Sequence, residues 1–153
     1  MSLRKGIMLL LIFMLCIWTV IIFSVIDSYR NLRPAFEVGK TGLVQNLFLN
    51  TLLLNTLETR RYSQIKGHLT PKFQKEIGIF VEEWERTIQE FGQVRSFEAM
   101  VGSLERRSED DVSVIASEWQ CRVHLKDGTV AVRWIQVYHQ GTWQIDSVVL
   151  QRE

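Results

Sequence analysis

The stretch Gln120–Leu150, QCRVHLKDGTVAVRWIQVYHQGTWQIDSVVL, decides how the chain folds. Through most of it β-branched and aromatic residues alternate with polar ones, the period of half-buried strands. Asp127-Gly128 separates two such runs and is a strong two-residue hairpin signal; Gln140-Gly141 is a weaker one. With Asp127-Gly128 as the turn, Lys126 faces Thr129, Val123 faces Val132, Cys121 faces Trp134, Trp119 faces Gln136 and Ser117 faces Tyr138. With Gln140-Gly141 as the next turn, Tyr138 faces Trp143, Gln136 faces Ile145 and Val132 faces Val149. Because side chains alternate across the pleat, these residues share one face. Trp119, Val123, Val132, Trp134, Tyr138, Trp143, Ile145 and Val149 are therefore the predicted core of the sheet. The opposite face is polar, with an apolar strip of Ile135, Val137, Val148 and Leu150, and it sets Arg133 diagonal to Asp146.

Two further runs, Val94–Gly102 and Val112–Leu125, read as strands, and LERRSEDD (Leu104–Asp111) reads as a polar loop between them. Together with Thr129–His139 and Trp143–Leu150 they make a four-stranded antiparallel meander. Before Gly92 the period is helical. In IFVEEWERTIQEFG, Phe80, Trp84, Ile88 and Phe91 form one stripe, the glutamates face away, and Gly92 is the stop. Upstream, Thr70 can cap a helix, Pro71 suits its first turn and Gly78 can end it. Thr41–Tyr62 is a helix of a different kind. Leu43, Leu47, Leu54 and Leu57 recur at helical spacing, but Val44, Phe48, Leu49, Leu52 and Leu53 fill other faces. Such a helix is too apolar for one buried stripe, so it is buried on several sides or meets a partner or lipid. The fold class is α+β: a helical layer on an antiparallel sheet.

The N-terminal run IMLLLIFMLCIWTVIIFSVI, Ile7–Ile26, has no charge, proline or glycine. As a helix rising 1.5 Å per residue it spans roughly 30 Å, the hydrocarbon thickness of a bilayer. It is longer than the core of a secretory signal and lacks a small-x-small site near its end, so the expectation is an uncleaved single-pass anchor. The organisation is then a short flank (1–6), a transmembrane helix (7–26), a linker (27–40) that opens with the polar stretch Asp27–Pro34, and one domain (41–153). Arg4, Lys5 and the free amine precede the run, while Arg30, Arg33 and Lys40 follow it. Long domains translocate largely regardless of charge, which favours the N-terminus inside and the domain outside. In a bacterium this means the inner (cell) membrane with a periplasmic domain.

Net charge is +1, and without Arg4 and Lys5 the remaining cations nearly balance the 17 acidic residues. Nucleic acid, which needs a basic stripe, is not an expected partner. Cys121 and three scattered histidines offer too few ligands for zinc, and no metal or other cofactor is expected. Cys121 in a strand reads as a small buried hydrophobe, not a nucleophile.

Helices followed by this meander resemble the nuclear-transport-factor-2-like superfamily, the cystatin-like α+β cone. LTPKFQKEIG…EEWERTIQEFGQVRSFE is similar to the helical hairpin of its small bacterial members, which ends in Phe-Gly before the first strand. DGTVAVRWIQVYHQGTWQID resembles their last hairpin, with Gly141, Trp143, Ile145 and Asp146 in a Gly-x-Trp-x-Ile-Asp ending. The resemblance covers Gly42 to Leu150 and implies a sheet curled around the long helix, leaving a conical pocket. Members include isomerases, epoxide hydrolases and dehydratases, whose chemistry needs a base and an oxyanion donor inside the cone. Here the inner face offers Ser117, Cys121, Gln136, Tyr138 and Ser147 without a carboxylate or imidazole, and Glu98 has no assigned face. No catalytic residue is therefore expected. The layout resembles inner-membrane scaffolds of type IV secretion and accessory subunits of membrane complexes. The expected function is that of a non-catalytic accessory, scaffold or assembly subunit. Its contacts with other subunits would run through the anchor (Phe13, Trp18, Phe23), the first soluble helix (Leu49, Leu52, Leu53) and the outer sheet strip (Ile135, Val137, Val148). A homodimer through the sheet would also use that strip. The alternative is a tethered sensor or carrier holding a small apolar ligand in the cone beside Trp119, Cys121, Trp134, Gln136 and Tyr138.

Overall fold

The structure, a computed structural model, describes the backbone of residues 3–152 other than Ala99, Asp110 and Asp111. Side chains are described from Met14 to Arg152, excepting Leu15, Asn31, Ala99 and residues 109–112. The described elements are α1 (Leu3–Thr59), α2 (Pro71–Phe91) and five strands, β1 (Val94–Phe97), β2 (Val101–Glu109), β3 (Val112–Leu125), β4 (Thr129–His139) and β5 (Thr142–Arg152). Contacts divide the chain into two compact units, Met1–Pro34 and Ala35–Glu153.

The first unit is helical from Leu3, and the part of the expected linker that it contains is helical too. Among the described residues no helix is long and apolar enough to cross a membrane. Of the run Ile7–Ile26, the side chains from Met14 on, Leu15 excepted, belong to that set, and Phe13 lies outside it. Trp18 and Phe23 are exposed, as are Met14, Ile17 and Ile22.

The second unit begins with a short helical piece that breaks at Gly39, whose φ of 69° and ψ of 174° belong to a region only glycine occupies freely. Beyond the break the helix runs to Thr59 with Asn46, Leu49, Asn50, Leu53, Thr56 and Leu57 buried. Gly42 keeps this turn close to the sheet: a Cβ there would stand 2.4 Å from the Val38 side chain and 3.4 Å from Tyr138.

α2 starts where Thr70 Oγ1 accepts the Phe73 N–H at 3.2 Å and Pro71 occupies the first turn. Gly78 does not end it, since one glycine costs a helix only about 1 kcal/mol and the buried stripe of Phe73, Phe80, Trp84 and Ile88 runs past it. Gly92, at φ 81°, closes the helix and donates its N–H to the Ile88 carbonyl. Trp84 Nε1 donates to the Leu57 carbonyl at 3.1 Å, tying α2 to the end of α1.

The sheet is antiparallel in the order β1-β3-β4-β5, with β2 also paired to β3. It has five strands where the sequence reading gave four. Most of LERRSEDD is not loop: Leu104–Glu109 is strand, paired from Leu104↔Ser117 to Glu109↔Val112. Alternating exposed polar residues satisfied an edge strand as well as a loop, and charges on an edge are the usual protection against unwanted pairing.

The β3–β4 register is His124↔Thr129, Cys121↔Val132 and Trp119↔Trp134, two residues from the expected one. Leu125 N–H bonds to the Gly128 carbonyl at 2.8 Å, so the connection is longer than an Asp-Gly two-residue turn. A slip of two exchanges partners without exchanging faces, and Val123, Val132 and Trp134 are buried as expected. The β4–β5 pairing starts as expected, with Tyr138↔Trp143 and Gln136↔Ile145, then shifts by one at a bulge to Ile135↔Ser147 and Trp134↔Val148. The extra residue, Asp146, turns away: its carboxylate accepts from Thr70 Oγ1 at 2.9 Å and stands 3.8 Å from Lys72 Nζ. Beyond the bulge the faces are exchanged. Val148 is 6% exposed and Val149 50%, the reverse of the sequence reading. Arg133 consequently pairs with Glu118, not Asp146.

This bulge makes a sharp prediction. Val148→Ala should cost about 1–3 kcal/mol in a denaturation experiment, whereas Val149→Lys should stay within about 0.5 kcal/mol of the parent. Equal losses at the two sites would mean that the bulge is misplaced.

Candidate functional site

Between α1 and the sheet lies a seam of polar side chains without a single titratable group. Asn46 Nδ2 donates to Ser117 Oγ at 2.6 Å and to Gln136 Oε1 at 2.9 Å. Asn50 Oδ1 accepts from Trp134 Nε1 at 2.8 Å and from Gln136 Nε2 at 2.5 Å. Trp119 Nε1 adds a bond to Ser117 Oγ at 3.1 Å. Asn50, Trp134 and Gln136 are fully buried. A buried amide group without a partner costs about 1–3 kcal/mol; this rotation of α1 pairs these groups except Asn50 Nδ2, which is buried without an acceptor, and another rotation would strand more of them.

That rotation decides what α1 presents to the outside. Asn46, Asn50 and Thr56 occupy inward positions, and Leu43, Val44, Leu47 and Phe48 are exposed, Val44 at 58% and Phe48 at 57%. They lie one and four residues apart, on a single helical face. The sequence reading chose the wrong part of the helix. Leu49 and Leu53 are core and carry no contact surface; Leu52 is half-buried and packs against that core. A hydropathy count cannot find this phase, because three of the inward residues are polar. The signal that could have found it is the Asn46–Asn50 spacing of one turn opposite strands rich in Gln and Trp.

Most of the residues expected to line a pocket lie in the core between α1 and the sheet. Cys121, Trp134 and Gln136 are buried, with Trp119 and Tyr138 half-buried beside them. Trp134 and Gln136 bond directly to Asn50 of α1. The Cys121 thiol lies 3.2 Å from the Glu98 carbonyl, and burial pushes its pKa up. This is the setting of an inert thiol. Glu98 is exposed and bonds to His124 Nε2 at 2.9 Å.

On the outer face of the sheet, Ile135 is half-buried and Val137 buried, while Val148 has left this face through the bulge. Ile135 and Val137 floor a groove of about 290 Å³ with Val114 and Ala116, edged by Lys72, Arg107 and Asp146. Arg107 donates to Glu118 at 2.7 Å and Arg133 stands 2.5 Å from the same carboxylate. These bonds, that from Arg107 first, hold the Glu118 carboxyl below its ordinary value. At the far end of α1, Arg60 and Tyr62 hold Glu85, whose pKa is likewise lowered, chiefly by the Arg60 bond. Among the described residues no group of three His, Cys, Asp or Glu side chains is placed to hold a metal ion.

The chain matches no protein-family model, no curated protein and no solved structure.

Replacing Asn50 with Ala should strand both the Trp134 and Gln136 donors and cost about 2–4 kcal/mol in urea denaturation, far beyond the change in side-chain volume. A loss under about 1 kcal/mol would show that the seam carries no weight. Glu118 and Glu85 also set a pH dependence. Their folded pKa values lie below the unfolded one, about 4.3, so their contribution is complete above that value. It is lost as pH falls through the folded values. Each is partly exposed, so the loss should be at most about 1 kcal/mol apiece. Comparing the parent with Glu118→Gln and Glu85→Gln between pH 7 and pH 3 should show a flatter stability profile in each variant.

Proposed function

We propose that the chain is a non-catalytic, single-pass membrane subunit that serves a larger membrane protein complex as an accessory, scaffold or assembly component. Its domain follows the nuclear-transport-factor-2-like plan, with a cone too full to hold a substrate. The observation that carries the reading is the inverted helix α1, which turns two asparagines inward and Leu43, Val44, Leu47 and Phe48 outward. Large side chains on one helical face lose favourable burial at roughly 25 cal/mol per Å² while they stay in water, so they mark a contact surface. The uncharged run Ile7–Ile26 supports the membrane part, as do the exposed apolar side chains described within it, Phe23 at 75% among them. Because long domains translocate largely regardless of charge, the domain lies on the extracytoplasmic side of a bacterial inner membrane.

The domain's partner surface is therefore Leu43, Val44, Leu47 and Phe48, with the groove over Ile135 and Val137 as a secondary contact; the anchor makes its own contacts through Trp18 and Phe23. Native-mass measurement of the untagged protein after mild detergent extraction should give a large assembly with stoichiometric companions. Val44→Lys combined with Leu47→Lys should release the chain from it, with a melting temperature close to the parent's. A bare monomer from the parent protein, or extraction by alkaline carbonate without detergent, would overturn the proposal.

A further inference from the structure

The second unit opens with a short strap, Ala35–Val38, that is held down at two points. Val38 is 6% exposed and shares a small apolar cluster with Leu49, Ile115 and Trp143, separate from the main core. Beside it, Glu37 accepts from the Arg106 guanidinium of β2, which also donates to Ser113 Oγ at 2.9 Å. Gly42, four residues on, lacks the Cβ that would stand 2.4 Å from the Val38 side chain. Between them the helix is broken at Gly39, whose φ of 69° and ψ of 174° are essentially reserved for glycine. No atom within 4 Å would meet a Cβ at Gly39, so the backbone conformation, not crowding, calls for glycine there.

We infer that Gly39 is a hinge and that Ala35–Val38 is a latch with two settings. In the docked setting, the one described above, Val38 fills its seat and Glu37 holds Arg106. In the released setting Gly39 takes helical dihedrals, the two pieces of α1 join, and Val38 leaves the seat among Leu49, Ile115 and Trp143. The settings oppose small terms of similar size. Docking keeps one valine buried and one half-exposed ion pair, which adds little. Release restores helical bonding across the break. Whatever seats an apolar side chain in that cluster, or draws Glu37 from Arg106, favours release, so the course of the strap is coupled to the occupancy of one apolar seat. Neither a bilayer nor a partner is required, and failure of the latch leaves the subunit proposal untouched.

The test measures alkylation by N-ethylmaleimide of the full-length protein in dodecyl maltoside micelles, carrying Val38→Cys together with Cys16→Ser. Cys121, 1% exposed in the main core, stays in place as an internal clock for unfolding. While the released setting is the minor one, the alkylation rate at position 38 is proportional to its population. Gly39→Ala strains the docked setting and favours the helical one, so it should raise that rate about 100-fold. Glu37→Gln, which leaves the hinge alone, should raise it about two- to fivefold. Cys121 should stay unreactive in both. A rise of less than about threefold with Gly39→Ala would overturn the inference. So would alkylation of Cys121 in step with position 38, because the strap would then move only with the whole fold. If Gly39→Ala does not fold, Glu37→Gln decides: a rate equal to the parent's means that there is no latch.

Discussion

The two bonds that Asn50 Oδ1 accepts from Trp134 and Gln136 fix the rotation of α1, and most of the domain follows from that rotation. Hydrophobic burial is non-directional and would accept several faces of a helix with nine large apolar residues between Leu43 and Leu57. Amides are less tolerant. Turning α1 by one residue would bury a leucine in place of Asn50 and leave Trp134 Nε1 and Gln136 Nε2 without acceptors inside the protein. Burial of Leu53 and Leu57 supplies most of the favourable energy; the seam selects which leucines receive it. Leu49 falls on the inner side and Phe48 on the outer side for this reason.

Much of the sheet was legible because strand faces depend on parity alone. Trp134, Val132, Ile145 and Trp143 were placed on the inner face from two turns, and that placement survived a β3–β4 register wrong by two residues. Past Asp146 it did not survive, since a bulge shifts the count by one and nothing in IDSVVL distinguishes a bulged strand from a regular one. The structural cause lies elsewhere in the chain. The Thr70–Asp146 bond and the Leu69↔Ile145 bridge bring the start of α2 against β5 at this point. A strand read by itself cannot show such a contact.

The candidate surface was less legible than the fold. An excess of apolar residues on α1 was visible in the sequence, but its location was not. Leucines were assigned outward at Leu49 and Leu53 because hydropathy alone had to choose the phase, and it was blind to asparagines whose partners lie about 70 to 90 residues away in the chain. The same blindness left the cone open as a pocket in the sequence reading. The bonds of Trp119 to Ser117 and of Trp134 and Gln136 to Asn50 join residues too far apart in sequence, Trp119–Ser117 excepted, for a strand read by itself to show.

A bonded seam and an apolar exterior are two consequences of one choice. The inward amides of α1 are spent on bonding it to the sheet. Holding those asparagines inward sends Leu43, Val44, Leu47 and Phe48 outward, where the domain itself does not cover them. Selection for monomer stability alone would tend to replace such an exposed face with charge, as on α2, where Glu82, Glu83 and Glu90 face solvent. α1 and α2 thus differ in what their outer faces can meet, water for α2 and an apolar surface for α1.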